Sequence, residues 1–220
     1  MIGKATATVT LLNLSQTYDG TQQAASAITN PSGLAVAFTY NGSATAPTNV
    51  GSYTVVGTIS DTNYQGSASG TLNITKAAAT VTLGSLSQTY NGTPKSATAT
   101  TTPSGLTITF TYNGRATAPT NAGSYTVIGT ISDTNYQGSA SGTLNIAKAA
   151  ATVTLGNLSQ TYDGTPKSAT AATTPSGLTV TFTYNGSATA PTDIGSYTVV
   201  GTIVDANYQG SATDTLVIGP

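Results

Sequence analysis

The chain has 220 residues, a formal net charge of −1, and charged side chains at only 6% of positions. It contains no Cys, His or Trp and no Glu, which excludes disulfides, thiolate metal sites and histidine-based acid–base chemistry. The same charge balance leaves no basic footprint for nucleic acid and no polybasic patch for an anionic membrane.

Met1-Ile2-Gly3-Lys4 lacks the apolar h-region of a signal peptide. Apolar runs elsewhere span a few residues, against the ~20 that a helix needs to cross a bilayer. Repeat 1 begins at once, which predicts a segment of a longer protein whose targeting signals lie elsewhere. From Lys4 the chain is one unit written three times, over 4–75, 76–147 and 148–219, at a constant period of 72 residues. Repeats 2 and 3 differ at 14 of 72 positions. A fixed period marks an array of units. This period is long for a solenoid turn, so each unit is predicted to be a domain, near the lower size limit for folding without a metal or disulfide.

The second repeat serves for all three. Ala79-Thr80-Val81-Thr82-Leu83 alternates apolar residues with Thr, the period of a strand. Leu86 to Tyr90 is a second extended piece, and Asn91-Gly92 is a tight-turn signal. Lys95 to Thr101 reads as a weak strand, and Thr102-Pro103-Ser104-Gly105 as a turn. In the clearest strand, Leu106, Ile108, Phe110 and Tyr112 alternate with Thr107, Thr109 and Thr111, giving one buried and one wet face. Asn113-Gly114 closes it. Ala116 to Asn121 contains Pro119 and is predicted irregular or an edge strand. Ser124 to Ile131 is the next strand, with Tyr125, Val127 and Ile131 on one face and Gly129 opposite a bulky ring. Asp133 to Gly138 is a turn. Ala140, Gly142, Leu144 and Ile146 form the last inward face.

No stretch has the 3.6-residue period of a helix. Six or seven short strands at this spacing predict an all-β chain of three tandem small Ig-like β-sandwich domains. Between them, Asn145-Ile146-Ala147-Lys148-Ala149-Ala150-Ala151 leaves almost no linker, so the domains are expected to form an elongated rod with little freedom between neighbours. Strands of about eight residues at roughly 3.3 Å each, plus loops, predict about 35 Å per domain and about 100 Å in all.

Tyr90-Asn91-Gly92-Thr93, Thr109 to Gly114, Ala118 to Val127 and Asn135 to Ala140 together resemble the MBG ("mostly beta, glycine-rich") family, and the resemblance covers all three units. It implies an Ig-like extracellular repeat of long bacterial surface or secreted proteins, including adhesins, with a spacer or adhesive role and no catalytic residues. The Gly-Ser-Tyr-Thr-Val segment also looks like a tyrosine corner, with Tyr53, Tyr125 and Tyr197 as the candidates.

Seven Asp residues, at 19, 61, 133, 163, 193, 205 and 214, are the only acidic side chains. With no base to activate Ser or Thr, the chain is read as no enzyme, without catalytic, cofactor or metal residues. Asp61-Thr62-Asn63-Tyr64-Gln65-Gly66 and its copies at Asp133 and Asp205 partly match a calcium loop. Leu72, Leu144 and Leu216 stand where its bidentate Glu belongs, so a backbone-satisfying turn is expected instead. Lys95 and Lys167 raise the question of an intramolecular isopeptide bond, but Gln23 holds that place in repeat 1, and a solvated surface Lys is expected. Tyr90 and Tyr136 adjoin turns and are the tyrosines expected to be exposed or to plug the domain ends.

The leading expectation is a spacer or stalk segment of a bacterial cell-surface or secreted adhesin that projects a distal binding region. It would be monomeric, outside the membrane, and in contact with neighbouring repeats of its parent chain. One alternative is an adhesive module for a surface glycan or protein. Another is a self-assembling surface-layer or filament subunit, since charge-poor edge strands can pair.

Overall fold

The Thr–apolar alternation forms strands throughout the computed structural model, which describes residues 3–220. Met1 and Ile2, half of the tetrapeptide read for a leader, lie outside the described residues. β-Branched side chains keep a single χ1 well on a pleated surface and crowd a helix. No helix occurs among the described residues.

The first repeat contains β1 (Ala5–Thr6), β2 (Thr8–Leu12), β3 (Ser15–Thr17), β4 (Ser26–Asn30), β5 (Val36–Tyr40), β6 (Gly51–Ile59), β7 (Tyr64–Gln65) and β8 (Ser67–Thr75). The strands beyond the expected number are β1 and β7, two residues each, paired in parallel. The segment read as a turn therefore ends in a strand, Tyr136–Gln137 in the second repeat. β2 and β4 form an antiparallel ribbon. The facing sheet has the order β3-β8-β6-β5, with β3 parallel to β8 and the other pairs antiparallel. The same strand order recurs in the second and third repeats. This is an all-β chain of three tandem Ig-like sandwiches.

The tight turn expected after the clearest strand is present. Asn41 and Gly42 both have positive φ, and Tyr40 exchanges backbone hydrogen bonds with Ser43 across them. Asn is among the few non-glycine residues that visit this region readily.

The chain falls into two compact units. One holds the first repeat to Thr82 with 99–110 and 129–140; the other holds 83–98, 111–128 and 141–220. In the first, the core gathers Ala25, Tyr40, Val55, Leu72 and Ile74, with Leu11, Leu14, Phe38 and Tyr53 packed against it. Val55 and Leu72 are fully buried. The buried Tyr40 hydroxyl accepts the Ala25 N–H at 2.9 Å, tying the four-stranded sheet to the ribbon. In the second unit, Ala169, Tyr184, Val199, Leu216 and Ile218 repeat this core, and the Tyr184 hydroxyl takes the Ala169 N–H at 2.9 Å.

Two glycines set the spacing of these layers. A Cβ on Gly57 would sit 2.9 Å from Leu11 Cδ2 and 3.1 Å from Val36 Cγ1, so the ribbon can close over β6 only where that side chain is missing. Phe38, directly across the ladder from Gly57, also borders the space, as expected for a glycine facing a ring. A Cβ on Gly66 would land on the carbonyl oxygen of Ala7, and Gly138 and Gly210 stand in the same relation to Ala79 and Ala151.

Because the obstacle at Gly66 is backbone, Gly66→Ala is expected to destabilise the first repeat by about 3 kcal/mol, the upper range for overpacking. Ser67→Ala, one residue on and solvent-facing, is expected to shift stability by less than about 0.5 kcal/mol. Urea denaturation of the two variants checks the difference.

Candidate functional site: the junctions between repeats

The stretch Asn49 to Tyr53 is held by the expected tyrosine corner. Tyr53 donates its hydroxyl hydrogen to the Asn49 carbonyl at 2.9 Å, and Tyr125 and Tyr197 do the same to Asn121 and Asp193. Each bond fixes the backbone just ahead of a long strand, and the N–H groups of Val50 and Ala122 that follow the bonded carbonyls reach beyond their own repeat.

The turn that opens with Asp61 is built from its own carboxylate. Asp61 Oδ1 accepts the N–H of Asn63 at 2.7 Å and of Tyr64 at 3.0 Å. Asp133 and Asp205 repeat both bonds. The Lys4 ammonium donates to the Asp61 carbonyl at 2.6 Å, as Lys76 does to Asp133 and Lys148 to Asp205. One carboxylate oxygen of each turn is thus engaged by backbone amides, with a cation alongside. Among the described residues, no three Asp or Glu side chains come together as a metal cage.

Within the first unit, this turn of the second repeat meets the far end of the first. β8 ends at Thr75, and Ala77–Ala78 pairs at once with Tyr136–Gln137. Tyr18 N–H donates to the Thr75 carbonyl at 2.9 Å, so Tyr18 and Tyr136 flank the same crossing of the chain. Their rings meet edge to face, with centroids 5.3 Å apart. The Asn135 side-chain oxygen Oδ1 accepts the Val50 N–H at 3.0 Å, and its Nδ2 donates to Asn49 Oδ1 at 3.1 Å.

Within the second unit the same set recurs one period later. Tyr90 and Tyr208 lie edge to face at 5.3 Å. Asn207 accepts the Ala122 N–H at 2.8 Å and donates to Asn121 Oδ1 at 3.3 Å. Tyr90 and Tyr136, expected to be exposed or to plug domain ends, are both half-buried in these contacts. The sequence marks Asn135 and Asn207 only as turn residues, and nothing local to them signals a role across the junction.

Lys167 corrects the expectation of a solvated lysine. Its side chain is buried, and its ammonium lies 2.5 Å from Asp163 Oδ2. That contact is the largest cause holding the Asp163 carboxyl well below the usual carboxylate range, followed by the Thr165 hydroxyl and N–H. Asp19 is also lowered, chiefly by the Thr21 hydroxyl and then by its N–H. Gln23, in the place of Lys167, is buried and bonds Asp19 at 2.5 Å. The partner four residues before Lys95 is Asn91, and Lys95 is only half-buried.

The loops after Tyr112 and Tyr184 roof open concavities of about 470 and 350 Å³. Both are walled by Asn and Thr side chains, and Arg115 in the first is replaced by Ser187 in the second.

A sequence profile of the family described as MBG domain matches three times in tandem, over residues 7–78, 79–150 and 151–220. No curated protein sequence matches the chain. Among solved structures, it is similar to Sidekick-1 immunoglobulin domains 1–4 (TM-score 0.36, 12% identity, covering 100% of this chain and 75% of that one). It is also similar to Sidekick-1 immunoglobulin domains 1–5 (0.32, 13%, 96% and 59%). A third similarity is to the N-terminal four Ig domains of Dscam1 isoform 9.44 (0.29, 15%, 76% and 55%).

Asn135→Ala removes the acceptor of the half-buried Val50 N–H, a loss of about 1–1.5 kcal/mol. Hydrogen exchange at Val50 is expected to speed up by about tenfold, while exchange at fully buried Val55 stays slow. A second expectation concerns acid. Because the folded Asp163 carboxyl is lowered, its contribution is complete above the unfolded value of about 3.9 and fades as pH falls below it. Asp163→Asn is expected to lower the urea midpoint of the third repeat near neutral pH, and the difference from the parent chain is expected to shrink steadily as pH falls below the unfolded carboxylate value.

Proposed function

The chain belongs to the MBG domain family, and from that premise we propose that it serves as a spacer, a stalk segment of a bacterial cell-surface or secreted adhesin that projects a binding region carried elsewhere. The observation behind this reading is the repeated junction. In each unit an Asn side chain grips the backbone N–H of the preceding repeat, and two tyrosines meet edge to face. A spacer must hold each domain against its neighbour, and here the same few groups do so twice. A junction that binds its neighbour in this way needs no pocket and no reactive group. The acidic turns are engaged by backbone and lysine, consistent with a non-catalytic module.

An adhesive role toward a surface glycan is the second reading, favoured by the concavities that recur behind Asn113 and Asn185. A spacer uses neighbouring repeats as its partners and works outside the cell as a single chain.

Small-angle X-ray scattering at low protein concentration tests the proposal, in EDTA and again with millimolar Ca²⁺. A maximum dimension of about 100 Å, as strand rise predicts, unchanged by Ca²⁺, is the expected result. A compact particle, or one that extends only with Ca²⁺, would sink the spacer reading. Retention on a glycan array, lost in Arg115→Ser, would move the assignment to adhesion.

A further inference from the structure

The first and last segments of each repeat lie side by side and run the same way. β7 and β8, with only Gly66 between them, make one run over residues 64–75. The opening strands of the repeat lie parallel to that run at both of its ends. β1 sets Ala5 against Tyr64 and Thr6 against Gln65. β3 sets Ser15, Gln16 and Thr17 against Asn73, Ile74 and Thr75. Backbone bonds extend both patches. Ala5 and Ala7 donate to Asn63 and Gln65, Asn73 donates to Leu14, and Tyr18 donates to Thr75, all at 2.8 or 2.9 Å.

β3 is an edge strand next to β8. Ile74, at the centre of this patch, is buried, and the Thr75 hydroxyl donates to the Gln16 carbonyl at 3.2 Å. The other repeats keep the arrangement. Ala77–Ala78 and Ser87–Thr89 run parallel to Tyr136–Gln137 and to residues 145–147. Ala149–Ala150 and Ser159–Thr161 run parallel to Tyr208–Gln209 and to residues 217–219.

Strand direction decides what a pull on the chain does to such a pair. The pull reaches β3 from its N-terminal side and leaves β8 from its C-terminal side, at Thr75. Because the two strands run the same way, these forces act in opposite senses along the strand axis. The patch is sheared, and its hydrogen bonds are loaded together. In an antiparallel pair such as β5 and β6, joined by a tight turn, the two open ends lie side by side. Pulling those ends apart opens the bonds one after another.

We propose that each repeat is a tension-bearing element. Its two parallel patches resist a lengthwise pull, β1 on β7 first and β3 on β8 behind it, and the repeat unravels only when the second gives way. The inference rests on the spacer reading, since a spacer is pulled along its length when the region it projects holds on. The resistance itself is a property of the fold.

Force spectroscopy on the whole chain, held by its two ends, is the test. Three unfolding peaks of similar height are expected, one for each 72-residue repeat, each releasing roughly 250 Å of extended chain. A second pull uses the variant Ser32→Cys/Thr62→Cys, both sites being exposed in a chain with no Cys of its own. Handles there draw β5 and β6 apart from the end where Val36 faces Ile59. This pair is expected to open at no more than about half the force needed through the chain ends.

Gln16→Pro removes the N–H between the bonded Leu14 carbonyl and Tyr18 N–H, on the ladder side of β3. One of the three peaks is expected to fall by about half or more, with the other two repeats as standards in the same molecule. Ser15→Pro, whose N–H lies off the ladder, is expected to keep all three. Equal forces in the two pulling directions overturn the proposal. So do three undiminished peaks in Gln16→Pro, or an equal fall in Ser15→Pro. Should Gln16→Pro leave the first repeat unfolded, the comparison of pulling directions decides. Scattering judges the spacer separately. Weak end-to-end peaks from a chain that keeps its dimension of about 100 Å overturn this proposal and leave the spacer standing.

Discussion

A hydrogen bond to one buried hydroxyl holds the two layers of each repeat in register. Tyr40 reaches out of the four-stranded sheet and accepts the Ala25 N–H, a backbone donor that lies just before the ribbon strand begins. Without that acceptor, a buried N–H would carry a penalty of about 1–3 kcal/mol. A chain with no Cys cannot cross-link its layers covalently. Tyr does part of that work here, because its ring fills the core while its hydroxyl meets a backbone group. The bond recurs at Tyr112 and Ala97 and at Tyr184 and Ala169, each over a 15-residue separation. The rest of the architecture follows from keeping the layers close enough for it. Gly57 must lack a side chain so that Leu11 can descend, and Gly66 must lack one so that β7 can lie against Ala7.

Domains of this size bury a smaller share of their surface than larger ones, and their stability is correspondingly slim. The junction contacts add to it. An edge-to-face tyrosine pair is worth about 0.5–1.5 kcal/mol beyond its area, and a half-buried N–H that finds an acceptor adds about 1 kcal/mol. Such terms are modest against a whole domain, but at a junction they decide whether neighbours are held or only tethered. In repeat proteins stability is shared between each unit and its nearest neighbours.

The sandwich is legible in the sequence because its signals are local. Thr alternation, Asn-Gly turns and the Gly-Ser-Tyr corner each lie within a few residues of what they specify, and strands, turns and corner bonds stand where those patterns put them. The short pairing of β1 with β7 is not legible, since two residues are too few to show a period. The junction is hidden for another reason. Asn135 and Val50 are 85 residues apart, and an Asn inside an Asp-led turn already has a sufficient local explanation. The usable signal is comparative within the chain, for Asn and Tyr stand at positions 3 and 4 of that turn in all three repeats. Lys167 departs from a solvated lysine because burial of a lysine depends on its partner. Asp163, four residues earlier, lets its stem sink, whereas Lys95, with only Asn91 in that place, stays half-buried.

Scarcity of charge makes this dependence on hydrogen-bond geometry necessary. Of the six cationic side chains, Lys4, Lys76 and Lys148 secure the Asp-led turns, and Lys167 pairs with Asp163. Most of the chain's charge is therefore tied to structure, and little is left over to steer a partner by long-range attraction. A surface of this kind recognises through shape, aromatic edges and aligned amides, which act only at contact. The groups that meet in this way are those at the repeat ends, where the Val50 and Ala122 N–H groups lie near a tyrosine. Successive repeats are held by fit at these junctions, where an Asn and a Tyr of one repeat arrive together on the one before it.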